Sequence, residues 1–153
     1  MYEIERKFLV NKEKWSPVNT GVRIIQGYLS TDLEHTIRVR IAGEKAFLTI
    51  KGKSVGIKRI EMEYEIPVPE AEVLLKMCKD TPVEKTRYYE KKGDVIWEID
   101  VFKGENSGLF LAEVELENET QKVDLPDWIE KEVSDNPRYF NSYLTQHPFL
   151  TWL

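Results

Sequence analysis

Apolar and polar residues alternate with a period of two along most of this chain, as in strands that bury one face. In Tyr2–Val10, Glu3, Glu5 and Lys7 fall on one face and Ile4 and Phe8 on the other. The alternation recurs in Val22–Ser30, Thr36–Ala42, Ala46–Gly52, Ile57–Ile66, Val83–Lys91, Val95–Phe102 and Leu109–Glu117, so eight strands are predicted. Ala42-Gly43-Glu44-Lys45 and Lys92-Gly93-Asp94 read as hairpin turns, which makes neighbouring strands antiparallel. Helical pattern is confined to three places. Pro69–Lys79 opens on proline, with acids in its first turn and lysines in its last, as the helix dipole favours. Pro126–Glu132 reads as one or two amphipathic turns. Pro137–Thr145 follows Ser134 as a cap and offers Tyr139, Phe140, Tyr143 and Leu144 for packing. A further turn is predicted at Lys12–Trp15. No linker or repeat divides the chain, so residues 1–153 form a single domain.

The polar faces are unusual. Arg38 and Arg40 share one face of the third strand, and Thr49 and Lys51 one face of the fourth. Arg59, Glu61, Glu63 and Glu65 line the fifth, Lys85 and Arg87 the sixth, Glu98 and Asp100 the seventh, and Glu113, Glu115 and Glu117 the eighth. An open sheet with one solvated face would show the same alternation. It would not explain the grouping by sign, because like charges side by side raise the energy unless something between them offsets it. A closed barrel with its charged faces inward removes the difficulty, since eight strands enclose a small lumen. Unpaired charge is very costly to bury, and a small anion with a divalent cation satisfies both halves of such a wall. Glu3 and Glu5, one strand step apart, suit a shared cation, and Lys7 beside them suits an anion on that cation. The all-oxygen ligand set favours Mg²⁺ or Mn²⁺ over zinc.

Composition narrows the setting. Acids outnumber bases 27 to 22, for a net charge of −5, which argues against a nucleic-acid partner but permits a local basic pocket. Cys78 is the only cysteine, so no intrachain disulfide can form, and it is expected as an inert thiol on the buried side of a helix. There is no signal-peptide pattern and no bilayer-spanning apolar run, so a cytoplasmic protein without a membrane partner is expected. His35 and His147 lack any metal-ligand or nucleophile spacing and are expected in solvent or packing roles.

Glu3-Ile4-Glu5-Arg6-Lys7-Phe8 resembles the ExExK signature of CYTH proteins, also called triphosphate tunnel metalloenzymes. The resemblance continues through Thr36-Ile37-Arg38-Val39-Arg40, Leu48-Thr49-Ile50-Lys51-Gly52 and Lys58-Arg59-Ile60-Glu61-Met62-Glu63. It runs on through Glu84-Lys85-Thr86-Arg87-Tyr88, Trp97-Glu98-Ile99-Asp100-Val101-Phe102, Ala112-Glu113-Val114-Glu115-Leu116, Lys131-Glu132-Val133 and Asp135-Asn136-Pro137-Arg138-Tyr139. Among small bacterial members it is similar to the inorganic triphosphatases.

The resemblance implies a mainly β fold of the α+β kind: a closed eight-stranded antiparallel barrel with a charged lumen and helices packed outside. It implies divalent-metal-dependent hydrolysis of inorganic triphosphate to pyrophosphate and phosphate, with other triphosphorylated small molecules as further substrates, by a monomer or homodimer. By this analogy Glu3 and Glu5 bind the metal with one or more of Glu61, Glu63 and Glu115, while Glu63, Glu98, Asp100 or Glu113 orients the attacking water directly or through a second metal. Lys7, Arg38, Arg40, Lys51, Lys85 and Arg87 line the phosphate track as catalytic cations, with Arg59 on the same wall. Lys131 corresponds to a family lysine reaching the tunnel mouth from a helical segment, and Tyr28 is expected either to face the substrate or to pack. Two other functions share this pattern. A class IV-like adenylate cyclase would need a purine site, for which no motif stands out. A non-catalytic polyphosphate- or nucleotide-binding module would not need so many carboxylates.

Overall fold

The alternating segments become strands in the computed structural model, which describes residues 1–152. The strands are β1 (Tyr2–Val10), β2 (Val22–Ser30), β3 (His35–Ala42), β4 (Lys45–Gly52), β5 (Lys58–Ile66), β6 (Val83–Lys92), β7 (Val95–Phe102), β8 (Phe110–Glu115) and β9 (Ile129–Glu132). The helices are α1 (Val68–Met77) and the single turn α2 (Asn141–Leu144). Hydrogen-bonded neighbours run β5-β4-β3-β2-β6-β7-β8-β1, and β1 pairs back onto β5 with Glu3 opposite Arg59. Every pairing is antiparallel, so the eight predicted strands close into a barrel. Closure removes most of the exposed strand edge. Gly43 (φ +60°) and Gly93 (φ +61°) open the β3–β4 and β6–β7 turns, where positive φ matches the right-handed twist of the hairpins.

Pro126–Glu132 is not helical. β5 begins opposite Ile4, so the later part of β1 would otherwise have an unpaired edge on that side. Ile129–Glu132 takes it as β9, with Phe8 opposite Glu132 and Val10 opposite Ile129. Just beyond β9, the Val133 amide donates to the Lys7 carbonyl at 2.8 Å.

Helices cover only part of the outer wall. α1 packs across β2, β3 and β4, burying Ala71 against Val39 and Ala46. Its end comes so near Gly27 that a Cβ there would lie 2.8 Å from Cys78 Sγ. Cys78 caps α1, half-buried, and burial pushes its thiol up, consistent with an inert role. The outer faces of β1, β7 and β8 are instead sealed by irregular segments carrying Trp15 and Trp128. Trp97 packs edge-to-face with Phe8 at 5.6 Å and with Trp128 at 5.8 Å. The predicted helix Pro137–Thr145 is broken. Asn136 caps a 3₁₀ turn at Pro137–Tyr139, Phe140 is extended, and α2 follows. α2 brings Asn141 and Ser142 to the lumen, so the expectation of helices packed outside holds for α1 alone. His35 is exposed beside Asp32 and His147 stacks on Tyr143 at 4.2 Å, as anticipated. No helix among the described residues is long and apolar enough to cross a membrane.

Candidate active site

All eight barrel strands send polar side chains into one cavity of about 210 Å³. Seven cations (Lys7, Arg38, Arg40, Lys51, Arg59, Lys85 and Arg87) border it together with seven acids (Glu3, Glu5, Glu61, Glu63, Glu98, Glu113 and Glu115). Tyr28 also faces it. Every residue singled out in the sequence for a site role is therefore brought together, except two.

Asp100 lies behind the wall, fully buried. Its Oδ1 accepts from Arg87 Nε at 2.8 Å, and its Oδ2 accepts from Arg87 Nη2 at 2.9 Å and sits 2.8 Å from Lys85 Nζ. With both oxygens engaged it orients these cations and does not border the cavity where the other acids predicted for metal or catalysis stand. Lys131 is exposed on β9 and does not reach the cavity, because that segment runs as a strand along β1 rather than as a helix over the mouth.

The acids crowd one another. Glu5 stands opposite Glu115, and Glu98 opposite Glu113, in the strand register. Burial, with Glu113 and Glu3 nearby, pushes the Glu5 carboxyl well above the usual carboxylate range. Burial acts on Glu113 in the same direction but is outweighed by Lys7, Arg87 and a hydrogen bond from Glu5, which hold it low. Glu61 is pushed up to about 7 by burial and by its contact with Glu3. At Glu3 the effect of burial is outweighed by the Glu61 hydrogen bond and by Lys51, 2.8 Å away, and its carboxyl is held far down. Glu3–Glu61 and Glu5–Glu113 are thus two pairs of adjacent carboxylates whose ionisation is pushed apart, and Lys51 Nζ bridges the first, 2.8 Å from Glu3 and 3.4 Å from Glu61. Among the described residues no three acids converge on one point.

Among the described residues, four of the seven cations are ion-paired and three are not. Arg87 pairs with Glu98 at 3.0 Å as well as with Asp100, and Arg38 lies 3.4 Å from Glu63. Lys7, Arg40 and Arg59 have no carboxylate within 4.0 Å among the described residues; they donate to the Tyr139 carbonyl, to Gln26 Oε1, and to the Gly52 carbonyl and Thr36 Oγ1. Burial, with Arg38 and Arg87 nearby, brings Arg40 down to about 9. Burial lowers Lys85 to about 7 despite Asp100, with Arg87 and Arg40 adding to the effect. Arg38 Nε is buried with no hydrogen-bond partner among the described residues. A buried N–H left unmatched costs about 1–3 kcal/mol.

Several polar residues of the wall carried no signal in charge alternation. Thr36 and Thr49 steady Arg59 and Arg38. Gln26, fully buried, shares the lumen face of β2 with Tyr28 and was detectable only by its two-residue offset from that tyrosine. Asn141 sits beyond the last predicted strand, and nothing in its local sequence places it at the lumen.

A CYTH domain model matches residues 1–143 of the chain. The curated inorganic triphosphatase of Acetivibrio thermocellus is 45% identical over 148 residues, covering 96% of this chain and 95% of its own length. That of Nitrosomonas europaea is 39% identical over 148 residues, with 94% and 97% covered. A solved inorganic triphosphatase structure superposes with a TM-score of 0.66 at 38% identity, over 94% of this chain and 93% of that one. With similarity this high from end to end, on a barrel of this topology, the chain belongs to the CYTH family.

Proposed function

We propose that this protein hydrolyses inorganic triphosphate to pyrophosphate and phosphate inside its tunnel, with Mg²⁺ or Mn²⁺ beside the substrate. The observation that carries this reading is the division of the lumen: three cations held only by neutral acceptors line one cavity with carboxylates crowded against one another. A triphosphate chelated to a divalent metal supplies what each half lacks. The curated relatives of similar length support the choice of triphosphate.

Glu3 and Glu5 would hold the metal, with Glu61 beside Glu3 and Glu115 opposite Glu5 close by on the same wall. When bound, such an ion neutralises phosphate charge and aligns the oxygens. The remaining work falls to the protein's own side chains. Lys7, Arg40 and Arg59, held by neutral acceptors, keep their full charge for phosphate oxygens. Arg38, Lys51, Lys85 and Arg87 complete the track, and Tyr28 borders it. Phosphoryl transfer needs mainly positioning and electrostatic stabilisation, so no covalent nucleophile is required. Glu63, Glu98 and Glu113 are the acceptors available to orient a water in line with the terminal phosphorus and take its proton. The P–O bond to the leaving pyrophosphate breaks as the new one forms. The tunnel is complete within one chain, and a single cysteine suits a reducing cytoplasm.

A substrate panel tests the proposal: triphosphate, ATP, thiamine triphosphate and a longer polyphosphate, each with Mg²⁺ or Mn²⁺. A kcat/KM for triphosphate at least tenfold above that for ATP is expected. Preferential turnover of ATP, or cyclic AMP among the products, would overturn it.

A further inference from the structure

Beyond the charged wall, an amide network spans the cavity where the C-terminal segment enters it. Arg40 Nε donates to Gln26 Oε1 at 2.8 Å. Gln26 Nε2 donates to Tyr28 Oη at 3.0 Å and to Asn141 Oδ1 at 3.2 Å. Lys85 Nζ donates to the same Asn141 oxygen at 2.9 Å. All the hydrogen-bonding capacity of the Gln26 amide group except one oxygen lone pair is therefore engaged, which fixes its orientation: turned over, it would set its NH₂ against the Arg40 N–H. At Asn141 the oxygen serves two donors, while the amide nitrogen has no hydrogen-bond partner among the described residues. Asn141 borders the cavity, so that nitrogen is left as a donor.

We propose that Asn141, delivered to the lumen by α2, is a triphosphate-binding residue that offers its amide N–H to a phosphate oxygen while holding Lys85 directly, and Arg40 through Gln26, with neutral acceptors. The inference rests on the triphosphatase reading and deepens it. Neutrality is the point of the arrangement. A carboxylate at either position would satisfy the same cations but would cancel their charge before substrate arrived. Lys85 already shares Asp100 with Arg87, so a second acid beside it would leave little charge for phosphate. The network also links substrate binding to the seating of the C-terminal segment, whose Tyr139 carbonyl accepts from Lys7 Nζ at 3.1 Å.

Asn141→Asp and Asn141→Ala separate this role from a structural one. Aspartate keeps the shape and the acceptor oxygen, so a residue needed only for packing would tolerate it better than alanine. The proposal predicts the reverse order. With Mg²⁺, Asn141→Ala should lose about 100-fold in kcat/KM for triphosphate, the scale of one lost donor to a charged reacting group. Asn141→Asp should fall at least tenfold further, with a thermal midpoint no lower than that of the alanine variant. Calorimetric binding of inorganic triphosphate in EDTA should follow the same order. Aspartate equal to or better than alanine in both assays overturns the inference and leaves the triphosphatase reading standing. Wild-type binding in the predicted order without hydrolysis overturns that reading and leaves Asn141 as a ligand. Wild-type protein that neither binds nor hydrolyses triphosphate overturns both.

Discussion

Arg40 concentrates the logic of the lumen in one side chain. It is a buried guanidinium with Arg38 and Arg87 as neighbours, no carboxylate in contact, and a neutral amide as its hydrogen-bond partner. Such an arrangement is costly unless an anion is the missing partner. Arg40→Ala is therefore expected to lower kcat/KM for triphosphate by about 10²–10³, or ~3–4 kcal/mol of transition-state stabilisation, measured by steady-state kinetics. A loss confined to KM would instead mark Arg40 as a ground-state contact. Glu5 poses the complementary question. Burial and its acidic neighbours push its carboxyl well above the usual carboxylate range, so Glu5→Gln, which keeps the shape and removes the charge, should fold normally. It should abolish the thermal upshift that Mn²⁺ gives the wild type; an undiminished upshift would remove Glu5 from the metal site. Glu61 ionises near 7 and Glu5 is shifted upward as well, so protons compete with metal and Mn²⁺ affinity should weaken as pH is lowered from 8 to 6. Calorimetry at the two values checks the sign.

Among the elements, the barrel strands were legible because period-two alternation survives on a wall with two chemically distinct faces. Where a strand lost that contrast, information was lost with it: β2 faces the lumen with Gln26 and Tyr28, and only the tyrosine stood out. β9 was missed for another reason. Its four residues follow a proline and carry mixed charge like a helix start, and only the free edge of β1, set by where β5 begins, makes them a strand. Asn141 was beyond reach because its position depends on a long-range docking of α2. The close fit of α1 on β2 gives a direct check. A Cβ at Gly27 would meet Cys78 Sγ at 2.8 Å and Leu75 Cδ2 at 3.2 Å, so Gly27→Ala should cost about 1–3 kcal/mol in urea unfolding. Adding Cys78→Ala should recover part of that. On the opposite wall, Trp128→Ala should cost about 3–5 kcal/mol, because its ring seals the Trp97 cluster.

For the whole molecule, function and stability pull against each other. Glu61 ionises near 7 when folded against a usual 4.5, so the folded chain binds more protons between those values and stability falls as pH rises across them. Lys85 ionises near 7 against a usual 10.5, so the unfolded chain binds more protons above 7 and stability rises from there. Through these two groups the metal-free barrel is weakest near neutral pH, where its lumen is least satisfied. Lys85→Met should flatten the rise in thermal midpoint between pH 7 and 9, and an unchanged slope would show that Lys85 is ordinary in its ionisation. Closure of the barrel was implied by sign grouping and by family resemblance, yet which charges would be spent on one another was not. Asp100 shows the difference: alternation put it on the lumen face, and only the geometry reveals that Arg87 and Lys85 consume it. The central claim is that the opposed charges of the tunnel exist to hold triphosphate with a divalent metal and cleave it once. Phosphorus NMR of triphosphate incubated with the protein tests this most directly. Equal growth of pyrophosphate and orthophosphate with Mg²⁺ or Mn²⁺, and none in EDTA, is the predicted result; no turnover, or the same turnover in EDTA, would contradict it.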